Sequence, residues 1–240
     1  AGEPVDEVIM SLLPLLEPGD ILIDGGNSHY EDTQRRCRIV ENAGCFYLGM
    51  GVSGGEEGAL LGPSLMPGGS LAAWESVKPI LQAICARTEE GKPCCAWVGS
   101  GGAGHFVKMV HNGIEYGDMQ LIGETYHLMR TYLGMTAHEM QKTFSQWNQE
   151  ELSSYLIGIT ADILAYHEPD GTPLLDCILD TAGQKGTGKW ASIAALQEGV
   201  PLTMITEAVY ARCLSVAKEE RQAAADVLEG PTGVLDRKST

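Results

Sequence analysis

The chain has 240 residues, 44% of them hydrophobic, and a net charge of −16. This size and apolar content can bury a sizeable core in one or two domains, and the acidic excess argues against a nucleic-acid partner because it repels phosphate backbones. No apolar run approaches the roughly 20 residues that cross a bilayer, and no signal peptide is recognisable, so we expect no membrane partner and a cytoplasmic location.

Cysteine usage agrees with that location. The seven cysteines are an odd number and form no Cys-x-x-Cys pair, so neither a disulfide framework nor a metal site is indicated. Reduced thiols in the cytosol are the simplest interpretation.

The first hundred residues alternate between helical and strand patterns. Apolar spacing predicts helices over 5–16, 32–43 and 72–86, and short apolar runs predict strands over 21–23, 45–49, 65–66 and 96–98. Alternation of this length is typical of a parallel sheet with helices on its faces. We therefore predict an α/β fold with a partial Rossmann-type parallel sheet.

The second part of the chain reads as helical throughout. Helices are predicted over 105–133, 136–145, 150–165, 173–180 and 205–228, and residues 231–240 read as a polar tail. We place a boundary near Ala103, between the second half of a dinucleotide-binding domain (1–103) and an all-α helical domain (104–240).

The α/β part begins in mid-fold. It has about four predicted strands, whereas a complete dinucleotide-binding fold has about six and carries its phosphate loop after the first. We expect the chain to be a fragment, with negligible activity on its own because the phosphate loop is missing.

A glycine-rich segment at 99–104 matches G-x-G-x-x-G after a predicted strand and before a helix. The dinucleotide fingerprint also needs a second strand ending in an acidic residue about 20 positions later, and one long predicted helix runs past that point instead. We interpret the segment as a turn that brings the helix close against the sheet.

The long helix carries a polar stripe. Lys108, His111, Asn112, Glu115 and Tyr116 fall at i, i+3, i+4, i+7 and i+8, which places them on one face. A solvated face is the ordinary explanation of such a stripe. An amine, an acid, an imidazole, an amide and a phenol are also the groups of acid–base catalysis, which favours a catalytic face.

Three further segments fit ligand contacts. Residues 51–59 are glycine-rich and follow a strand, residues 24–28 end the first strand, and residues 184–190 combine two lysines, a threonine and glycines. Free backbone amides and strand carboxyl ends suit anionic ligands. A plain loop or a solvated basic loop remains the alternative for each.

These residues resemble a known family. Gly99, Gly102, Gly104, Lys108 and Asn112 fit the G-x-x-G-x-G-x-x-x-K-x-x-x-N pattern of the β-hydroxyacid dehydrogenases. Within that superfamily, residues 105–116, together with 51–59, 24–28 and 183–190, are similar to the 6-phosphogluconate dehydrogenase family. The resemblance covers essentially the whole chain.

The resemblance implies NADP as cofactor, 6-phosphogluconate as substrate and oxidative decarboxylation as reaction. It makes Lys108 the general base and Glu115 the acid that protonates the enediol. The implied substrate ligands are Asn27, Ser53, Gly54, Gly55, His111, Asn112, Tyr116, Lys185, Thr187 and Arg212. Asn27 would also touch the nicotinamide half of NADP.

The family further implies a homodimer for the full-length enzyme, and by comparison with its pattern this chain is expected to be an internal fragment lacking both ends. Two alternatives stay open. The chain could be a catalytically silent fragment that keeps only its helical interaction surface, or a different β-hydroxyacid dehydrogenase, which would give no reason for phosphate ligands at Lys185, Thr187 and Arg212.

Overall fold

The computed structural model describes residues 2–230, so the predicted polar tail over 231–240 lies outside the described residues. The chain divides into two compact units, Ala1–Gly113 and Ile114–Thr240. The division falls inside one long helix. The domain assignment with its boundary near Ala103 stays a prediction, because compactness alone does not delimit functional domains.

The first unit alternates helices and strands, as predicted. Its elements are α1 (Glu3–Leu12), β1 (Ile21–Asp24), α2 (Tyr30–Asn42), β2 (Phe46–Ser53), α3 (Gly55–Leu61), β3 (Ser64–Gly69) and α4 (Leu71–Ile84). A buried cluster of Ile9, Cys37, Val40, Cys45 and Tyr47 joins α1 and α2 to the sheet. A second, built of Met50, Leu65, Trp74, Leu81, Cys85 and Cys95, joins α4 to it.

The second unit is helical over its described residues. The long helix α5 (Ala103–Thr131) leads into it. The helices that follow are α6 (Ala137–Trp147), α7 (Tyr155–Ala165), α8 (Leu174–Cys177), α9 (Thr187–Glu198), α10 (Thr203–Val216) and α11 (Lys218–Ala225). The predicted class, an α/β part followed by an all-α part, is confirmed.

The sheet is mixed, which corrects the prediction of a parallel sheet. Strands β1 and β2 pair in parallel, with Asp24 opposite Gly49, but β3 pairs antiparallel to β2. Residues 54–63 alone connect β2 to β3, and a parallel crossover needs about a dozen residues or more. The connection is too short, so β3 returns antiparallel.

The predicted strand over 96–98 is not a strand in the structure. Its segment nevertheless runs beside β3, where the Leu65 N–H donates to the Cys94 carbonyl and the Val98 N–H to the Pro67 carbonyl, both at 2.9 Å. A single parallel bridge joins Leu65 and Cys95. The apolar run was therefore placed correctly, but its pairing is too irregular to form a ladder.

Several predicted helix bounds were wrong. The helix predicted from 150 begins at Tyr155, because the Ser154 hydroxyl accepts from the Ile157 N–H at 3.2 Å and caps it there. The span 205–228 divides into α10 and α11 at Ala217, whose ψ of 53° leaves the helical region. The span 173–180 contains only the four-residue α8.

Helix α9 was missed, because the glycines around Thr187 indicated a loop. Its buried residues are Thr187, Gly188, Ala191, Ser192 and Ala194. Small side chains of this kind give no contrast between an apolar and a polar face, so no helical period is visible in the sequence.

All seven cysteines are free. In the first unit Cys37, Cys45, Cys85 and Cys95 are buried and Cys94 is half-buried; in the second, Cys177 and Cys213 are exposed.

The glycine-rich turn before α5 does what the sequence indicated. A Cβ on Gly104 would overlap the carbonyl oxygens of Gly49 and Met66 and lie 2.7 Å from the Gly68 nitrogen. A Cβ on Gly102 would overlap the Tyr30 carbonyl oxygen. Because only glycine fits these positions, α5 starts in backbone contact with the sheet.

Candidate active site

Lys108 is held against strand β2. The residue lies on the second turn of α5 and is 7% exposed. A Cβ on Gly51 would come within 2.5 Å of the Lys108 Cβ and 3.0 Å of the Gly104 carbonyl oxygen. The glycine in β2 therefore makes the space in which this lysine stem lies.

Three predicted substrate ligands form a chain of polar contacts in the same unit. Ser53 Oγ lies 3.3 Å from His111 Nε2, and His111 Nδ1 lies 3.2 Å from Asn112 Oδ1. Asn112 Oδ1 can only accept, so the pairing fits an imidazole with its proton on Nδ1, which leaves Nε2 to accept from the Ser53 hydroxyl. The end of β2 and the second and third turns of α5 thus meet at these side chains.

The residues after Ser53 are not the plain loop that the sequence allowed. Gly51–Ser53 complete β2, and Gly54 and Gly55 begin α3, with φ of 138° and 59°. A Cβ on Gly54 would lie 2.8 Å from the Gly58 Cα. Positive φ at both positions requires glycine, and both residues are exposed beside Ser53.

Asn27 lies in the turn that follows β1. Its side chain is exposed, whereas its neighbour Ser28 is 4% exposed. The turn stands at the carboxyl end of a strand in the parallel pair, which is where open α/β sheets bind ligands.

In the second unit, Tyr116 and Arg212 stack on each other. The Arg212 guanidinium carbon lies 3.9 Å from the centre of the Tyr116 ring. Its Nη1 donates to the Gly183 carbonyl at 2.6 Å, and its Nη2 contacts Met119 Sδ at 3.5 Å. A stack with a fixed hydrogen bond holds this cation in one orientation.

The segment over 184–190 approaches the same pair. Thr187, 5% exposed, is the first residue of α9, and Gly186 before it has a φ of 100°. A Cβ on Gly188 would lie 2.7 Å from Tyr116 Cδ2, so α9 begins in contact with that ring. Lys185 is exposed just before the helix. A helix N-terminus with nearby cations suits an anionic group.

Glu115 lies one residue before Tyr116 on α5 and is half-buried. Within the second unit it lines a cavity of about 690 Å³ together with Asp118, Trp147 and Tyr155. Lys108, in the first unit, lies seven residues before Glu115 in the sequence of α5.

Two polar residues, the half-buried Asp24 and the buried His105, were given no role by the sequence analysis. Asp24 ends β1, and its carboxylate accepts from the Gly26 N–H and the Ser28 hydroxyl. His105 is 2% exposed, with Nδ1 at 2.7 Å from Thr33 Oγ1. Burial lowers the pKa of His105 below its usual value, which favours a neutral ring at physiological pH. The sequence did contain an indication for Asp24, because an acidic residue ends a predicted strand directly before two glycines.

Comparison with known proteins shows the family to which this chain belongs. The α/β unit followed by helices is a fold also seen in Mycobacterium tuberculosis 3-hydroxyisobutyrate dehydrogenase (21% identity over 94% of this chain and 72% of that chain, TM-score 0.65). Two family models match, the NAD binding domain of 6-phosphogluconate dehydrogenase over residues 1–99 and the 6-phosphogluconate dehydrogenase C-terminal domain over residues 104–240. The chain belongs to the 6-phosphogluconate dehydrogenase family.

Individual relatives are close. The decarboxylating 6-phosphogluconate dehydrogenases of Mus musculus and Aggregatibacter actinomycetemcomitans are 62% and 59% identical over 96% and 98% of this chain, and the chain covers 48% and 49% of their lengths. The Plasmodium falciparum 6-phosphogluconate dehydrogenase structure superposes with a TM-score of 0.94 at 45% identity, over 99% of this chain and 51% of that one. The chain thus spans about half the length of these relatives.

Across residues 2–230, no helix combines the length and apolar character that crossing a membrane requires.

Proposed function

We propose that this chain carries the substrate-handling residues of an NADP-dependent, decarboxylating 6-phosphogluconate dehydrogenase. The reaction oxidises 6-phospho-D-gluconate and releases carbon dioxide and D-ribulose 5-phosphate. The observation that carries the proposal is the buried Lys108, packed on Gly51 in the unit that also holds the Ser53–His111–Asn112 contacts. A lysine that is largely shielded from water suits general-base work on a hydroxyl.

In this mechanism Lys108 takes the proton of the C3 hydroxyl. NADP, when bound, would supply the hydride acceptor for C3. Loss of carbon dioxide from the resulting β-keto acid leaves an enolate, and Lys108, now protonated, donates to the enolate oxygen to give the enediol. Glu115 then delivers a proton to C1 of the enediol, while Lys108, neutral again, takes the proton of the C2 hydroxyl to give the ketone. Return of one proton from Lys108 to Glu115 restores both groups for the next turnover.

The remaining groups would bind and orient the substrate. His111 and Asn112 hold the reacting hydroxyl and carboxylate, and Ser53, Gly54 and Gly55 bind the carboxylate end. The glycines support this role because they expose backbone amides without side chains beside the Ser53 hydroxyl.

Tyr116, Lys185, Thr187 and Arg212 would bind the phosphate. The stack of Arg212 on Tyr116 and the start of α9 at Thr187 support this assignment, because a fixed guanidinium and a helix N-terminus both favour a phosphate dianion. The Plasmodium falciparum protein is described in complex with 6-phosphogluconate.

Asn27 would contact the substrate and the nicotinamide half of the cofactor. Its exposed amide follows two glycines at the carboxyl end of β1, the edge at which open α/β sheets bind ligands, which supports a contact with the cofactor. The choice of NADP over NAD rests on the Plasmodium falciparum protein, whose structure is described in complex with NADP+.

We also propose a cytoplasmic homodimer. The seven free thiols suit a reducing compartment. Exposed apolar side chains on α10, among them Tyr210, Leu214 and Val216 at 61–65% exposure, suit burial against a second copy.

Substitution of Lys108 tests the function. In the natural gene product, Lys108→Ala should lower kcat by about 100- to 10,000-fold, the usual loss for a general base. Lys142→Ala, which removes an exposed lysine on α6, should leave kcat unchanged. A Lys108→Ala enzyme that keeps more than a tenth of its activity would contradict the assignment.

The substrate and the alternatives are tested in the same assay. Arg212→Ala should raise KM for 6-phosphogluconate far more than it lowers kcat. Turnover of 3-hydroxyisobutyrate in preference to 6-phosphogluconate would favour another β-hydroxyacid dehydrogenase. No turnover of either substrate by the natural gene product would favour the silent interaction module.

A further inference from the structure

The Asp24 carboxylate gathers the residues on both sides of Asn27. Asp24 Oδ1 accepts from the Gly26 N–H at 2.9 Å, and Oδ2 accepts from the Ser28 hydroxyl at 2.6 Å. Gly26 precedes Asn27 and Ser28 follows it. One carboxylate therefore fixes the backbone before Asn27 and the side chain after it, while the Asn27 amide itself stays exposed.

The carboxylate is itself held in place. Asp24 is the last residue of β1, paired with Gly49 of β2, and its side chain is 11% exposed. The Tyr47 hydroxyl, from a residue 1% exposed on β2, donates to Oδ2 at 3.1 Å, and Arg36 Nη1 lies 4.0 Å from the same oxygen. The anchor of the turn is thus built into the sheet and backed by a buried cation.

The charge on Asp24 is maintained. Burial raises its pKa, but the hydrogen bonds from Ser28, Gly26 and Tyr47 and the nearby His105 outweigh that effect and hold the pKa below its usual value. An ionised carboxylate has lone pairs for all three donors at once, whereas an amide in its place would present one oxygen.

The turn is tight on the side of the carboxylate. A Cβ on Gly26 would lie 3.1 Å from Asp24 Oδ1, whereas one on Gly25 would lie 3.7 Å from Val52 Cγ2, an ordinary contact. Glycine at position 26 therefore lets the chain fold closely around the carboxylate that holds both neighbours of Asn27.

We propose that Asp24 is a positioning residue that aims Asn27 at the nicotinamide half of the bound dinucleotide. The proposal rests on the proposed function, because it assumes that Asn27 contacts the cofactor. It predicts that loss of the Asp24 charge acts through Asn27, and therefore on binding of the dinucleotide more than on that of the sugar acid.

The main experiment is a double-mutant cycle in the natural gene product, with NADP+ as the varied ligand. Asn27→Ala and Asp24→Asn should each raise KM and Kd for NADP+ by about tenfold, the usual value of one hydrogen bond. The double variant should be no worse than Asn27→Ala alone, and KM for 6-phosphogluconate, which Asn27 would also contact, should rise by a smaller factor than KM for NADP+. Effects that multiply in the double variant would overturn the proposal.

Amide hydrogen exchange provides a readout that does not depend on activity. In the unliganded protein, Asp24→Asn should speed exchange in a peptide that includes Gly26, because the three donors then share a single acceptor oxygen, while Asn27→Ala should not. Asp32→Asn, which removes an exposed acid of α2, should leave this exchange and the NADP+ constants unchanged. Unchanged exchange in Asp24→Asn would show that Asp24 does not hold the Gly26 amide, and it would overturn the proposal.

Two outcomes separate the inference from the function. If Asn27→Ala leaves the NADP+ constants unchanged, the cofactor role of Asn27 is wrong, and the positioning proposal fails with it even if the exchange result holds. If Asn27→Ala weakens NADP+ binding and Asp24→Asn does not, the function stands and the inference alone fails. If Asp24→Asn does not fold, Ser28→Ala can be used instead, because it removes only the hydrogen bond from the Ser28 hydroxyl to Asp24. KM and Kd for NADP+ should then rise by a smaller factor.

Discussion

The close approach of α5 to the sheet gives a sharp test of the fold. Gly104→Ala adds one methyl group where the carbonyl oxygens of Gly49 and Met66 already lie, and 2.7 Å from the Gly68 nitrogen. All three obstacles are backbone atoms of β2 and β3, so no side chain can turn aside. A comfortable contact needs about 3.5 Å. The start of the helix would have to move away from the sheet by on the order of 1 Å.

The size of the effect follows from two opposing contributions. Overpacking typically costs about 1–3 kcal/mol, and rigid backbone neighbours place this site at the upper end. Alanine in place of glycine in a helix stabilises the folded state by about 1 kcal/mol. The net loss is about 2 kcal/mol. For a chain of this length that corresponds to a fall in Tm of roughly 4–8 °C.

Gly123→Ala is the matched control, because it makes the same change on the same helix. Gly123 is exposed, and a Cβ there meets no atom within 4 Å. Only the propensity gain of about 1 kcal/mol remains, so Tm should rise by about 2–4 °C. Thermal unfolding followed by far-ultraviolet circular dichroism measures both variants. If Gly104→Ala unfolds at or above the wild-type temperature, the contact between α5 and the sheet is looser than described.

Two further predictions concern an ion pair and the phosphate segment. The buried Arg36 holds the pKa of Asp6 at about 2, below the usual 3.8. Because the pKa is lowered in the folded state, the ion pair stabilises the fold above pH 3.8, and this stabilisation is lost as pH falls towards 2. Asp6→Asn should lower the free energy of unfolding by about 1–2 kcal/mol at neutral pH and flatten its decline in acid, as urea titrations at several pH values will show. Gly188→Ala should displace the Tyr116 ring, which a Cβ there meets at 2.7 Å, and raise KM for 6-phosphogluconate by about tenfold. Gly183→Ala should leave this KM unchanged, because its Cβ meets nothing within 4 Å. Equal KM values for the two variants would refute the role of the contact between position 188 and the Tyr116 ring.

Much of the fold was readable from the sequence, where apolar periodicity was strong. The strand at 21–23 is a run of isoleucine and leucine, the helix before it has apolar residues at helical spacing, and the first helical cap after α5 is a Thr136–Glu139 capping box. The glycine-rich segment at 99–104 was interpreted correctly because the context of a dinucleotide loop was missing.

The failures have physical causes. The direction of β3 depends on the length of its connection to β2, which periodicity does not encode. Helix α9 is built from small residues around Thr187 and Gly188, so its pattern gives no contrast. Glycine spacing alone cannot distinguish such a helix from a phosphate loop.

The candidate site was predicted unevenly for a similar reason. The stripe on α5 is visible because helical spacing gathers Lys108, His111 and Asn112 on one face. The roles of Asp24 and His105 depend on contacts with Tyr47 and Thr33, from elements distant in sequence. Only the folded chain brings such donors and acceptors together.

Some cysteines are buried and others are exposed, so the rate at which each thiol reacts can report local opening of the protein. Burial raises the pKa of Cys37 and Cys95 to about 11, which further suppresses their reactive thiolate form. A maleimide should therefore label the exposed Cys177 and Cys213 first, and the buried thiols only when the α/β unit opens. The slow labelling phase would report the opening free energy of that unit in native buffer, with no engineered reporter group.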